Sequence, residues 1–134
     1  MSLPESPVIR RLAEDFGYPV VDAENLDAFL ERHRMSVLFF SGNPIRHPEA
    51  NDVAVVLPEL ARAFAGRFQP AVVDLDAQET LQERFGFTTW PALVFMQGAR
   101  RLGTITKMRD WNVYLDLTAR MLSQTADATL GTPS

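Results

Sequence analysis

The most reactive side chain available to proteins is missing from this chain: it contains no cysteine. Thiol–disulfide exchange needs a thiolate to attack a disulfide sulfur, so the chain cannot do that chemistry itself. The two histidines, His33 and His47, stand apart, and nothing like an H-E-x-x-H pair is present. Transition-metal ligation would therefore fall to carboxylates. His47, within Arg46-His-Pro-Glu49, reads as an exposed loop histidine. Lys107 is the sole lysine among 13 basic residues, so any Schiff base would have to form there. Asp74-Leu-Asp76 with Glu79 could suggest a hard-cation site. The simpler reading is local: Asp76 ends a strand and caps the next helix, whose N-terminus favours acids. What remains is recognition. Trp90-Pro91 offers either a flat anchor of the kind found at binding hot spots or a core tryptophan packed under a loop. Glu49, Asp52 and Glu59 are either a solvated face or an acidic rim beside Trp90. No cofactor is expected.

These residues must be positioned by elements that the sequence outlines. Ser6-Pro7 reads as the N-cap and first position of a helix, with Ile9, Leu12, Ala13 and Phe16 on one face and Gly17 at its end. Tyr18 to Val21 is a short strand whose proline suggests a sheet edge. Asp22 is placed to cap a second helix bearing Leu26, Phe29, Leu30 and His33. Met35 to Phe40 is a continuous apolar run, the pattern of a strand covered on both faces. Residues 41–51 read as loop. From Asp52, the positions Val53, Leu57, Leu60 and Phe64 predict a helix that Pro58, inside it, should kink. Gln69 to Leu75 is a second buried strand, and Leu81 and Phe85 mark a helix closed by Gly86. Ala92 to Met96 and Arg101 to Thr106 form a hairpin. Asp110 can cap a last helix bearing Trp111, Leu115 and Leu122. The expected order is α-β-α-β-α-β-α-β-β-α, a mixed sheet with helices on both faces. Residues 1–122 form the domain, and 123–134 are expected to be a disordered tail.

A chain of 134 residues suits one domain and can bury a core without metal or disulfide staples. Its net charge of −4 speaks against nucleic acid as a partner. Residues 1–31 are net −5 and residues 99–120 net +3. The longest uncharged run, 85–99, is broken by Gly86, Pro91 and Gly98 and is shorter than the about 20 residues of a membrane span. No apolar stretch of signal-peptide length opens the chain. A cytoplasmic protein that does not insert into membranes is expected.

Three segments resemble the thioredoxin superfamily: SVLFF (36–40), VVLPELARAF (55–64) and VVDLDAQETLQERFGFTTWPALVFMQGARRLGTI (72–105). The resemblance covers roughly 18–122 and implies a thioredoxin-like fold with an extra N-terminal helix. It makes 55–64 part of the helix that carries the redox pair, and Pro91 the family's cis-proline. An X-Pro bond is cis in only about 5–6% of folded cases, so the resemblance reverses what the residues alone would suggest. The stretch that should hold Cys-x-x-Cys reads SGNPIRHPEAND, with the thiol positions falling near Ala50 to Val53. Phe39 stands where the family usually keeps a buried acid. A buried carboxylate costs several kcal/mol unless paired, and without thiols to serve, an apolar side chain is cheaper there.

More narrowly, SGNPIRHPEANDVAVVLPEL, FTTWPALVF and the N-terminal RLAEDFGYPVVD resemble the HyaE/HupG/HoxO group of nickel–iron hydrogenase accessory proteins, which are thioredoxin-like and lack the redox pair. This resemblance implies a non-enzymatic chaperone in hydrogenase maturation that handles the small-subunit precursor and its twin-arginine signal peptide. The residue before the cis-proline would offer its backbone to an extended peptide. The candidate client-binding residues are thus Thr89, Trp90 and Pro91, with Glu49, Asp52 and Glu59 as a rim for a basic segment. The alternative is a redox-dead thioredoxin-like adaptor for an unrelated client. A peroxidase of this fold would need a reactive cysteine, and a glutathione transferase would need a second, helical domain.

Overall fold

The computed structural model describes residues 3–130. Helix α1 (Pro7–Glu14) begins at Ser6, whose hydroxyl accepts the Ile9 N–H at 3.2 Å. Pro7 has no N–H to leave unpaired in the first turn. There follow β1 (Val20–Val21), α2 (Leu26–Arg32), β2 (Met35–Phe40), α3 (Glu49–Ala63), β3 (Gln69–Val73), a 3-10 turn (Leu75–Ala77), α4 (Gln78–Phe85), β4 (Ala92–Gln97), β5 (Arg100–Thr106) and α5 (Trp111–Leu130). The alternation of helices and strands is the one expected.

The strands form one mixed sheet in the order β1-β3-β2-β4-β5. β3 runs parallel to both β1 and β2, while β2–β4 and β4–β5 are antiparallel. The short, proline-led β1 lies at an edge, where a missing ladder donor is tolerated. Successive side chains of a strand point to opposite faces, and that period divides the core. Met35, Val37, Phe39, Val72, Leu93 and Phe95 face the layer of α1, α3 and α5. Leu38, Phe40, Ala71, Val73, Ala92, Val94 and Met96 face the layer of α2 and α4. Each large apolar side chain so buried is worth about 1.5–3 kcal/mol, so the sheet needs both layers. All six residues of β2 are buried, the single polar one, Ser36, included. Phe39 is fully buried against the α1/α3/α5 layer.

Several local expectations need correction. α2 starts at Leu26 and not just after Asp22, because the Asp22 carboxylate takes the Glu24 and Asn25 N–H groups, both at 2.9 Å. That Asx-type turn precedes the helix instead of capping it. α3 starts at Glu49, inside the stretch expected as loop. Asp76 does not cap α4: the capping position is Ala77, with no side-chain hydrogen bond, and Asp76 sits in the preceding 3-10 turn. Phe16 follows α1 in the chain's bend and is exposed, stacked on Tyr18. α5 buries Tyr114, Thr118, Met121 and Leu122 and packs Leu115 against the same core, while Trp111 is exposed. α5 also continues past the expected end at 122 to Leu130. Residues 123–130 hold neither glycine nor proline, so nothing in the backbone stops a helix before Gly131. The rest of the expected tail, 131–134, lies outside the described residues.

Candidate functional site

The chain leaves β2 at Phe40 and enters Ser41-Gly42, at the carboxyl end of two parallel strands where open α/β sheets form their crevices. Gly42 has φ +67°, a left-handed conformation that favours glycine. A Cβ here would stand 2.9 Å from His47 Cδ2 and 3.2 Å from Trp90 Cε3, so the close approach of these side chains also requires glycine. Asn43 then folds the loop back: its carbonyl accepts from Arg46 N at 3.1 Å and His47 N at 2.8 Å, and its side chain accepts from Ile45 N at 2.9 Å.

The start of this loop is held by Gln78, a buried amide on α4. Its Oε1 accepts the Gly42 N–H at 2.7 Å, while its Nε2 donates to Ser41 Oγ and the Val73 carbonyl, both at 3.1 Å. One side chain thus ties the ends of β2 and β3 together. Sequence reasoning missed Gln78. The available signal was its phase with Leu81 and Phe85, at i, i+3 and i+7, which marks the buried face of a helix.

Trp90 closes the other side. The Trp90–Pro91 bond is cis, as the resemblance implies, and Pro91 is buried while Thr89 and Trp90 are half-buried. The indole rests edge-on against Phe87 at 5.1 Å between ring centroids and lies 6.3 Å from Phe40. His47 stacks on it, with 6.3 Å between centroids and 29° between planes. Trp90 is therefore neither a free anchor nor a sealed core residue. His47, expected to be exposed, is half-buried for the same reason. His33 packs on Phe29 at 4.5 Å, before β2 where His47 follows it, so about 20 Å of strand separates the two imidazoles. Among the described residues no group of three or more histidines and acids could hold a metal.

Trp90, Gly42, Asn43, Arg46 and His47 line a cleft of about 620 Å³ whose opposite wall is the 3-10 turn and α4, with Asp76, Gln78, Glu79, Gln82 and Glu83. An aromatic floor between an acidic wall and a basic, histidine-bearing wall suits a polar segment with a flat or cationic group.

The three acids expected beside Trp90 are placed elsewhere: none of them lines this cleft. Glu49 accepts the Met108 N–H at 3.1 Å, beyond β5. Glu59 pairs with Arg62 at 3.4 Å and lines a groove with Val55, Val56 and Trp111. Burial pushes the Tyr114 phenol above the ordinary tyrosine value of 10.0; the Arg109 N–H and charge oppose this, and Glu49 and Asp52 add to it. All three acids thus lie toward the start of α5. Ala50 and Val53, where the resemblance places the redox pair, are in the first turns of α3 and buried.

Among the described residues no helix is long and apolar enough to cross a membrane. A family model for the hydrogenase-1 expression protein HyaE matches residues 8–114. The chain is 47% identical over 110 residues to the hydrogenase expression/formation protein HoxO of Azotobacter vinelandii, covering 82% of this chain and 74% of that one. It is 42% identical over 122 residues to HupG of Rhizobium leguminosarum bv. viciae, covering 88% and 82%. Among solved structures, a hydrogenase expression/formation protein hupG from Rhodopseudomonas palustris superposes with a TM-score of 0.57 at 42% identity, covering 81% of this chain and 97% of that one. Oxidized mitochondrial thioredoxin 3 of Saccharomyces cerevisiae superposes with a TM-score of 0.64 at 12% identity, covering 81% and 96%. The fold is thioredoxin-like.

Proposed function

The chain belongs to the HyaE family of hydrogenase expression/formation proteins, and on that premise we propose that it is a non-enzymatic, cytoplasmic chaperone of hydrogenase maturation. Its client is the small-subunit precursor of a nickel–iron hydrogenase, held through the twin-arginine signal peptide. The observation that carries this reading is the half-buried Trp90 lining an open cleft at the position where a thioredoxin-like fold handles peptides, in a chain with no thiol. An extended client segment would lie along Thr89, Trp90 and Pro91 by backbone pairing. An arginine side chain would find the indole face and the carboxylates of Glu79 and Glu83. Glu49, Asp52 and Glu59 act at longer range, speeding the approach of a basic segment.

The test is binding of the purified protein to a small-subunit precursor with and without its signal peptide, measured by fluorescence anisotropy. Binding that needs the signal peptide and weakens in Trp90→Ala is the expected result. Equal binding without the signal peptide would move the client contact to the mature subunit. No binding to either form would leave the chain as an adaptor for another client.

A further inference from the structure

A second surface stands apart from the Trp90 cleft. Among the described residues, the exposed large apolar side chains are Phe16, Ile45, Val55, Met108, Trp111 and Val113. Val55 is 57% exposed and Trp111 41%, and both line a groove of about 330 Å³ with Val56 and Glu59. Val55 and Glu59 continue into a neighbouring groove of about 140 Å³ that Leu12 bounds from α1 and Phe16 from the bend after it. The result is one apolar track from the end of α1, across α3, to the start of α5. It shares no lining residue with the Trp90 cleft. Exposed apolar ground of this kind, rimmed by polar residues, marks an interaction site.

The charges beside the track select its occupant. The exposed side of α3 carries Glu49, Asp52 and Glu59 against one arginine, Arg62, which is paired with Glu59. The segment before Trp111 adds Lys107, Arg109 and Asp110, and the Arg109 guanidinium is turned back onto the Thr106 carbonyl at 2.7 Å, so the acids of α3 remain in excess. Arg11, beside the smaller groove, is paired with Asp15 at 3.3 Å. A second copy docked by the same face would bring like-charged α3 helices together, because an isologous contact repeats the same patch on both sides. An anionic membrane surface would be repelled by the same acids. The track crosses helices and offers no strand edge, so it suits the apolar stripe of a helix.

We propose that the Phe16–Val55–Trp111 track is a second docking surface, taking an amphipathic helix of a partner protein that carries arginine or lysine beside its apolar stripe. Trp111 is the anchor, and the α3 acids set orientation and approach.

The test uses the full chain with Trp90→Phe, which leaves Trp111 as the single tryptophan. The probe is an 18-residue Leu/Arg amphipathic peptide (an arbitrary length of about five helical turns), with a Leu/Glu peptide of the same pattern as control. The expected result is a blue shift of Trp111 emission with the basic peptide alone. Its affinity should fall at least tenfold in Val55→Asp and in Phe16→Ser, each checked for unchanged circular dichroism. The triple change Glu49→Gln, Asp52→Asn and Glu59→Gln should slow association and flatten its salt dependence. A shift of equal size with both peptides, or binding indifferent to Val55→Asp and Phe16→Ser, would overturn the proposal. So would self-association in sedimentation equilibrium that Val55→Asp abolishes, since the occupant would then be a second copy.

Discussion

Trp90 and Gln78 show how little of a residue's role lies in its type. Trp90 rests on Phe87 and Phe40 with part of its surface facing the cleft, so one substitution should act in two ways. Trp90→Ala is expected to weaken client binding by about 2 kcal/mol or more. It should also lower stability, by less than the about 3–5 kcal/mol of a fully buried aromatic. Binding titrations and urea melts on the same protein separate the two effects. Gln78 makes three hydrogen bonds in a buried setting. Gln78→Leu would leave the Gly42 N–H without this acceptor, and a buried group left unsatisfied costs about 1–3 kcal/mol. The loss should appear in urea melts, and the Trp90 emission should change as the loop loosens. A variant as stable as the parent, with unchanged emission, would show that the loop is held by other contacts.

At the level of elements, the α1–α3 junction and the buried side of α5 each hold a polar group that matters to stability. Ser6 caps α1 through the Ile9 N–H and also donates to Asn51 on α3. Ser6→Ala is therefore expected to cost more than an isolated cap, which is worth about 1 kcal/mol. In a double-mutant cycle with Asn51→Ala the two sites should couple by about 0.5–1.5 kcal/mol; additive costs in denaturant melts would mean that the bond between the helices contributes nothing. On α5, the fully buried Thr118 hydroxyl has no hydrogen-bond partner among the described residues. Thr118→Val keeps the shape and removes that polar group, so the midpoint of unfolding should rise by a few degrees. A fall would mean that the hydroxyl is satisfied in solution.

At the scale of the whole molecule, pH and redox inertness are the measurable properties. Burial raises the phenols of Tyr18 and Tyr114 above the ordinary value of 10.0. The folded state then keeps these protons to higher pH than the unfolded chain does. Their contribution is complete below pH 10 and is lost as pH rises through the folded-state values. Stability should therefore decline above about pH 10, and the decline should be shallower in the double variant Tyr18→Phe/Tyr114→Phe. Urea midpoints from pH 8 to 11 measure it, and parallel curves for the two proteins would assign the decline to other groups. With no cysteine in the chain, the protein is expected to leave insulin disulfides intact with dithiothreitol as reductant. Turnover above a no-protein control would contradict this.

The element order, the sheet's two-faced burial and the Gly86 cap were legible along the chain. These depend on local rules: apolar runs, the periods of helix and strand, and left-handed glycine. The motifs FGFTTWP and VVLPELARAF also made the fold family and its cis-proline legible, because resemblance carries tertiary information that periodicity lacks. Which residues meet across the sheet was decided by tertiary structure alone. Gln78 and Gly42 are 36 positions apart and touch because β2 and β3 end side by side. Glu49, Asp52 and Glu59 follow the cleft's loop closely in the chain, yet none of them lines the cleft. The direction in which α3 leaves the loop carries them toward Met108 and Trp111, while the acids facing Trp90 come from the 3-10 turn and α4. A helix turns 100° per residue, so an early start at Glu49 and the packing against α1 decide which side of α3 meets which neighbour. No local pattern encodes that angle.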